Sequence, residues 1–235
     1  MYSLENISMK YGSLDVIKDM SIHIETNEII SILGPSGCGK TTLLNMITGL
    51  INEYEGKIQG FEEKKISYLF QDLRLLPWKN VFDNMVFVLK GKVKDDYLSE
   101  HIDNFLKYVG LQDYKEFAIH ELSGGMQQRL SLARAFAYPS QILLMDEPFK
   151  SLDYEMRHHI IETFKNLWNK EKKTVIFITH DIRSAIQLSD TIYLLSDKPT
   201  QILKRYKNPL SLHQRTFEEE DFIALEKQLY IDFIK

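Results

Sequence analysis

Short apolar runs, each bounded by polar or turn residues, recur along the chain. Runs of this length indicate strands buried on both faces, as in a mostly parallel sheet. They occupy residues 29–33, 66–70, 142–145, 175–179 and 192–195. Between several of them the apolar positions recur instead with helical spacing, as in TTLLNMITGL and MRHHIIETFKNLWNKEKK. This alternation of strands and helices predicts an α/β fold.

The stretch between Phe70 and Ile142 contains no strand pattern. Three helical patterns fill it, namely VFDNMVFVLK, YLSEHIDNFLKYVGL and GGMQQRLSLARAFAYP, the last of which stops at Pro139. We therefore expect a helical lobe inserted into the sheet domain. The alternation from residue 20 to residue 24 predicts a small antiparallel sheet, and residues 215–235 predict one further helix.

Composition and charge narrow the class of protein. With 44% hydrophobic and 26% charged residues, the 235-residue chain has the composition of an ordinary globular protein. The net charge is −4 and no cluster of Lys and Arg is present, which argues against a nucleic-acid partner. The single cysteine, Cys38, fits a reducing compartment. We expect no secretory signal and no membrane span, so another chain must supply any membrane anchor.

A glycine-rich segment, GPSGCGKTT, fits the phosphate-loop pattern G-x-x-x-x-G-K-[ST]. A predicted strand precedes it and a predicted helix follows it, so we reject the alternative of a chance glycine turn. Backbone N–H groups of such a loop surround phosphate oxygens, the lysine reaches the β- and γ-phosphates, and the threonine hydroxyl binds Mg²⁺. The predicted nucleotide-binding residues are Gly34, Pro35, Ser36, Gly37, Cys38, Gly39, Lys40, Thr41 and Thr42. No general base lies near Cys38 in sequence, so we interpret its thiol as incidental and expect a thiol reagent there to block the loop.

Two acidic residues and a histidine follow predicted strands. Asp146 and Glu147 come directly after the run 142–145, and in phosphate-loop enzymes an Asp in this position holds Mg²⁺ while its neighbour can polarise water. His180 follows the run 175–179 and should reach the same carboxyl edge of the sheet. His158 and His159 fall in a helical pattern without further ligands, so we assign no zinc site.

Taken together, these motifs resemble the ATP-binding subunits of ABC transporters, whose signature LSGGQ is LSGGM in this chain. The resemblance covers nearly the whole sequence and implies a single ABC ATP-binding domain over 1–235. In that domain 1–71 and 141–235 form the nucleotide-binding core with its β subdomain, and 72–140 form the helical subdomain. It implies that Tyr11 stacks on adenine and that Gln71, Glu147 and His180 act in catalysis. It further implies that Gln71, Thr41 and Asp146 contact Mg²⁺, and that Ser151, Leu152 and Asp153 form the D-loop.

The same resemblance explains a second pair of glycines far from the phosphate loop. In this family two subunits pair head to tail, so the signature of one subunit faces the γ-phosphate held by the other. The signature residues of this chain are Leu122, Ser123, Gly124, Gly125 and Met126. The expected assembly is therefore a homodimer in the ATP state. It would be bound to integral membrane permease subunits at the cytoplasmic face of the membrane and served indirectly by an extracytoplasmic solute-binding protein.

The segment QDLRLLPWKNVFDN and the LSGGM variant also resemble the ATPases of bacterial importers for nitrate, sulfonates, taurine and related solutes. Leu75, Leu76 and Trp78 would then either dock onto the permease or cover the core of the helical lobe, and the sequence leaves both open. Met126 and Lys150 depart from the family pattern. The alternatives are a soluble ABC-type ATPase without a transport role and a phosphate-loop kinase or GTPase. The signature turn argues against the second.

Overall fold

A computed structural model describes residues 1–62, 65–150 and 152–234. Nine strands and seven α-helices are assigned within these residues. The strands are β1 (Tyr2–Tyr11), β2 (Leu14–Ile24), β3 (Ile29–Leu33), β4 (Glu55–Gln59), β5 (Ile66–Leu69), β6 (Ile142–Asp146), β7 (Thr174–Thr179), β8 (Thr191–Leu195) and β9 (Ile202–Lys207). The helices are α1 (Lys40–Ile47), α2 (Val81–Leu89), α3 (Asp95–Tyr108), α4 (Gly124–Ala137), α5 (Tyr154–Glu171), α6 (Ile182–Leu188) and α7 (Glu220–Ile234).

The chain packs as two compact units. The first comprises the described residues among 1–64, 144–147 and 174–235, and the second comprises 65–143 and the described residues among 148–173. Strand β6 begins in the second unit and ends in the first. The predicted helical subdomain, 72–140, falls within the second unit, which also holds β5 and α5.

The first unit contains a small antiparallel sheet and most of a larger parallel one. The small sheet has the order β2-β1-β4, which confirms the prediction from alternation. In the larger sheet β3 lies between β7 and β8 and runs parallel to both, while β9 is antiparallel to β8. Every residue of β3, β7 and β8 is buried, as their continuous apolar runs predict.

Helices α6 and α7 belong to this unit and share one apolar cluster. Phe222 and Leu229 of α7 pack with Ile182 and Ile186 of α6, and Leu33 at the end of β3 belongs to the same cluster. The C-terminal part of the chain therefore packs against the elements that flank the phosphate loop.

The second unit packs α2 to α5 around an aromatic core. Phe136 of α4 meets Phe164 of α5 edge to face, with ring centroids 5.5 Å apart. The buried Asn84 of α2 accepts a hydrogen bond from the Leu76 N–H at 2.8 Å and donates to the Asn80 carbonyl at 2.9 Å. Arg134 of α4 donates to the Arg74 carbonyl at 3.1 Å. These side chains fasten the segment that follows Gln71.

The five predicted strands are confirmed to within a residue or two, and the helical patterns before the tail to within three residues at either end; α3 and α5 begin two residues before their predicted starts. The tail helix begins at Glu220 and not at residue 215. The cause is Arg215, whose buried guanidinium donates to the carbonyls of Leu210 and Leu188 at 3.0 and 2.6 Å and holds this stretch in a loop. Strands β4 and β9 and helix α6 were not predicted. No helix in the described ranges is long and apolar enough to cross a membrane.

Candidate functional site

The phosphate loop connects β3 to α1 through backbone conformations that favour glycine. Gly37 has φ of 80° and Gly39, at the N-cap of α1, has φ of 116°. Residues other than glycine rarely adopt these backbone angles. At Gly34, an added Cβ would lie 3.0 Å from Leu195 Cβ and 3.1 Å from Cys38 Sγ, closer than ordinary van der Waals contact, so both neighbours would have to give way. The loop is therefore shaped by its backbone, as a phosphate cradle requires.

Lys40 points back into this loop. Its ammonium group is buried and donates to the carbonyl oxygens of Gly34 and Pro35, both at 2.8 Å. The nearest carboxylate oxygen, Glu147 Oε1, lies 3.8 Å away. The cation thus has neutral acceptors within hydrogen-bonding distance, and a phosphate group would offer it a charged one in the same place.

Thr41 and Asp146 meet beside the loop. The Thr41 hydroxyl, in the first turn of α1, donates to Asp146 Oδ2 at 3.1 Å at the end of β6. A hydroxyl and a carboxylate side by side are oxygen ligands of the kind that Mg²⁺ takes together with substrate phosphates. The donor set therefore fits the predicted ion. No group of three or more His, Cys, Asp or Glu able to hold a metal occurs in the described part of the chain.

Glu147 and His180 form the other contact at this edge of the sheet. Nδ1 of His180 lies 2.8 Å from Oε2 and 3.0 Å from Oε1 of Glu147. Because a carboxylate only accepts hydrogen bonds, the Nδ1–H group is the donor. Glu147 has φ of 45°, and its backbone N–H donates to the Ile178 carbonyl at 3.1 Å. This left-handed conformation is strained for a residue other than glycine and typical of functional sites.

Cys38 is less accessible than its place in the loop predicts. The residue is only 2% exposed, and burial raises the pKa of its thiol. Since thiolate formation is thereby disfavoured, the structure supports the interpretation of Cys38 as a packing residue. Because the side chain faces the protein interior, we expect a reagent to reach this thiol slowly in the folded loop.

Thr200 contributes to the same loop although the sequence offered no signal for it. Its buried hydroxyl donates to the Cys38 carbonyl, and its backbone N–H donates to the Val16 carbonyl at 2.8 Å. A threonine 162 positions along the chain from Cys38 carries no pattern that links it to a phosphate loop. Only the fold brings the two together.

Tyr11 lies at the end of β1 in the first unit, with its ring exposed next to the turn into β2. An exposed ring at a hairpin end is free to stack on a planar base. The remaining predicted site residues, Gln71, Leu122 to Met126 and Asp153, all lie in the second unit. Gln71 is exposed just after β5.

The second glycine pair opens helix α4. Ser123 is its N-cap, and the Ser123 hydroxyl accepts a hydrogen bond from the Met126 N–H at 3.3 Å. Gly124 and Gly125 form the first turn, whose amides have no acceptors within the helix. Beside them is a cavity of about 380 Å³ whose lining includes Met126, Arg129, Met156 and His159. The turn can thus present free N–H donors and a helix dipole to an anion.

Asp153 stabilises the start of α5 in the second unit. It is the N-cap of α5, and its Oδ1 accepts a hydrogen bond from the Met156 N–H at 2.8 Å. Leu152 is partly buried. The third residue of the predicted D-loop, Ser151, lies outside the described residues.

Comparison with known proteins identifies relatives over most of the chain. A family model described as ABC transporter matches residues 17–150. An aliphatic sulfonates import ATP-binding protein from Bacillus cereus (strain ZK / E33L) is 37% identical over 232 residues, which cover 96% of this chain and 91% of that protein. A taurine import ATP-binding protein from Jannaschia sp. (strain CCS1) is 40% identical over 222 residues, covering 89% of this chain and 82% of that protein.

A solved structure shows the same architecture. It is a dimeric ATP-binding cassette in a post-hydrolysis state bound to ADP and Pi, with 28% sequence identity and a TM-score of 0.71. The match covers 90% of this chain and 100% of that chain. The predicted fold class is therefore confirmed as an ABC ATPase cassette of the phosphate-loop α/β type.

Proposed function

Because this chain belongs to the ABC transporter family and is an ATPase, we propose that it powers a membrane importer for a small solute. The solute class is taurine, an aliphatic sulfonate, nitrate or a similar compound. The observation that carries the proposal is the similarity over 96% and 89% of the chain to import proteins named for aliphatic sulfonates and taurine. The chain would act as one ABC ATP-binding domain, with the helical subdomain at 72–140.

ATP binding is assigned to the phosphate loop and to Tyr11. Lys40 would exchange its present acceptors, the carbonyls of Gly34 and Pro35, for phosphate oxygens. Thr41 and Asp146 would hold Mg²⁺, with Gln71 as a further contact. When bound, Mg²⁺ would neutralise charge on the phosphates.

Hydrolysis is assigned to Glu147 with His180 as its positioning partner. Glu147 is 11% exposed, so its carboxylate faces the loop in a largely water-excluded setting. It would orient a water molecule and accept its proton. The Nδ1–H of His180, which lies 2.8 Å from Oε2, would hold the carboxylate in one orientation.

Dimerisation is assigned to the signature turn. Ser123, Gly124 and Gly125 would contact the γ-phosphate bound by a second copy, and Asp153 would lie in the D-loop of the interface. The dimeric arrangement of the similar cassette bound to ADP and Pi supports this proposal.

Permease docking is assigned to the segment that follows Gln71. Trp78 is 77% exposed, which fits a surface anchor and does not fit a core residue. Asn84 and Arg134 hydrogen-bond to the backbone of the segment that precedes Trp78 and hold it in place. The exposed indole of Trp78 therefore projects from a rigid part of the surface. In the same unit a cavity of about 310 Å³ is lined by residues that include Tyr68, Phe70, Leu73 and Val88. Such an apolar groove suits a short amphipathic helix.

The resulting assembly is a homodimer bound to permease subunits at the cytoplasmic face of the membrane. A solute-binding protein would act on it only through the permease, and we propose no nucleic-acid partner. The alternative is a soluble ABC-type ATPase without a transport role.

Purification from the native membrane followed by reconstitution tests the proposal. We expect integral membrane subunits to copurify with the chain, and the complex in liposomes to take up taurine or an alkanesulfonate only with ATP. Glu147→Gln in the same complex should abolish uptake. An ATPase that purifies at full activity without any membrane subunit would instead favour the soluble alternative.

A further inference from the structure

Helix α6 begins two residues after His180 and is too short to be stable alone. It runs from Ile182 to Leu188, with Asp181 as its N-cap accepting a hydrogen bond from the Ser184 N–H at 2.6 Å. Isolated helices shorter than about 12 residues are marginal in water. Tertiary contacts therefore decide the position of α6 and of His180, which precedes it.

The C-terminal part of the chain holds the last turn of α6. The Arg215 guanidinium donates to the carbonyl of Leu188 at 2.6 Å and to Asp190 Oδ1 at 2.6 Å. The Asn208 amide donates to the carbonyl of Ile186 at 2.8 Å. These contacts are buried and join α6 to the loop that precedes α7.

An ion pair joins the first turn of α6 to α7, in addition to the apolar packing of Ile182 in the cluster that contains Phe222. Nε of Arg183 donates to Glu226 Oε1 at 2.6 Å, and the guanidinium carbon lies 5.4 Å from the centre of the Phe217 ring. Glu226 is 17% exposed and Arg183 is 55% exposed. Because Arg183 is more than half exposed, we expect the pair to contribute about 0 to 1 kcal/mol to stability, and its importance is positional. The pair lies three residues beyond His180.

Helix α7 is a firm anchor for this pair. Its Phe222 and Leu229 are fully buried in the cluster that also contains Leu33, the last residue before the phosphate loop. Farther along, Lys204 and Gln228 each donate to Asp232 Oδ2 at 2.9 Å, and the Tyr206 hydroxyl donates to the same oxygen. These contacts fix α7 in place, so α7 gives Arg183 of α6 a partner whose position does not change.

We propose that Arg183 and Glu226 are positioning residues for ATP hydrolysis, because they hold the first turn of α6 and, through it, the imidazole of His180 against Glu147. The inference rests on the catalytic roles proposed above for Glu147 and His180. Neither Arg183 nor Glu226 touches the loop or the nucleotide. Their removal loosens the first turn of α6, while the packing of Ile182 and the buried contacts at the other end of the helix remain.

Steady-state kinetics of Arg183→Met and Glu226→Gln test the inference. We expect kcat to fall about 5- to 20-fold in each variant, since small displacements of a catalytic group have effects of this order. KM for ATP should stay within about twofold, because the phosphate loop is untouched. Arg183→Glu combined with Glu226→Arg should recover most of the lost kcat. No loss in either single variant, or no recovery in the reversed pair, would overturn the inference.

Lys204→Met is the matched control, since it removes an ion pair of the same helix α7 that does not touch α6. We expect its kcat to stay within about 1.5-fold of the wild type at a similar melting temperature. An equal loss of kcat in Lys204→Met would show that the general stability of α7 is responsible, and would overturn a specific role for Arg183.

A double-mutant cycle with His180→Ala gives the decisive measurement. If Arg183 acts through His180, then Arg183→Met in the His180→Ala background should leave the residual kcat unchanged. Additive losses would overturn the inference while leaving the proposed function intact. If instead His180→Ala and Glu147→Gln keep wild-type turnover, the proposed catalytic roles themselves are wrong.

Discussion

Nδ1 of His180 lies 2.8 Å from Oε2 of Glu147, although the two residues are 33 positions apart in the chain. Each follows a buried strand, β7 and β6 respectively, and the two strands end at the same edge of the sheet. The same edge carries Lys40, whose ammonium lies 3.8 Å from Glu147. In the proposed function, this carboxylate, held between an imidazole and a lysine next to the phosphate loop, would accept the proton of an attacking water.

Replacement of Glu147 by Gln should separate binding from turnover. We expect ATP affinity to be kept and turnover to fall about 10²- to 10⁴-fold, because a general base is removed while the loop is unchanged. ATP should then trap a stable dimer, visible by light scattering. Glu53→Gln, at an exposed residue outside the site, serves as the control with normal turnover. A variant that hydrolyses ATP at the wild-type rate would contradict the assignment of Glu147.

Ser123→Arg should leave ATP binding by the monomer nearly intact and prevent the closed dimer. The reason is that Ser123 caps α4 in the second unit and would contact only the nucleotide of the partner. Equilibrium binding and sedimentation with ATP measure the two effects separately. Ser99→Arg, an exposed serine of α3 in the same unit, provides the comparison.

Mixing Ser123→Arg with Lys40→Ala subunits sharpens this test. One composite site of the mixed dimer then contains both defects and the other contains an intact loop and an intact signature. Some activity should return unless both sites must act together. Loss of ATP binding by the isolated Ser123→Arg monomer would rule out the arrangement across the interface.

Truncating the two tryptophans should affect different properties, stability for Trp168 and permease binding for Trp78. Trp78 is 77% exposed, whereas Trp168 is 9% exposed and donates its Nε1–H to the Lys173 carbonyl at 2.7 Å. Trp168→Ala should lower the free energy of unfolding by about 3 to 5 kcal/mol, as for large aromatics removed from a core. Trp78→Ala should leave melting and basal ATPase nearly unchanged but weaken permease binding by about 2 kcal/mol. Normal permease binding by Trp78→Ala would exclude the docking role.

Cys38 should react slowly with a maleimide in the folded protein. Its thiol is buried and burial raises its pKa, so both access and the thiolate fraction are low. We expect labelling at pH 7 to be at least about tenfold slower than in urea-unfolded chain. Because the sequence has one cysteine, mass spectrometry reads the rate directly. Equal rates in the two states would show that the loop is open.

Because of Lys173, the free energy of unfolding should rise with pH above pH 8. Burial lowers the pKa of its ammonium group from 10.5 to about 8. The ammonium group donates hydrogen bonds to the Tyr138 carbonyl and the Ser140 hydroxyl. Between these values the unfolded chain binds more protons than the folded one, so the free energy of unfolding rises by up to about 1.4 kcal/mol per pH unit. Below pH 8 both states are protonated and the slope vanishes.

Urea unfolding at pH 8 and pH 10 measures this slope. Lys173→Met should show a gain in unfolding free energy smaller than that of the wild type by about 2 kcal/mol. Lys92→Met, at an exposed lysine of the same unit, should keep the wild-type gain. An unchanged slope in Lys173→Met would mean that Lys173 titrates normally.

Local pattern in the sequence determined the secondary elements and the chemistry of the phosphate loop. Apolar runs predicted β3, β6 and β7 because a strand buried on both faces needs consecutive apolar side chains, and such a run can be read without knowing its neighbours. The loop from Gly34 to Thr42 could be read for the same reason, since its function depends on backbone conformation and two adjacent side chains. The end of α4 just before Pro139 is also a local effect.

Tertiary structure alone decided which side chains are accessible and which distant ones meet. The segment around Trp78 allowed both a core and a surface position, because its pattern is the same in either case, and its packing in the second unit exposed the ring. Cys38 was expected to be reachable and is buried, since the loop turns its side chain inward. The tail helix begins five residues later than predicted because Arg215 is held by Leu188 and Asp190, which lie far back in the chain. Contacts between residues so far apart depend on the assembled sheet, and no local periodicity encodes them.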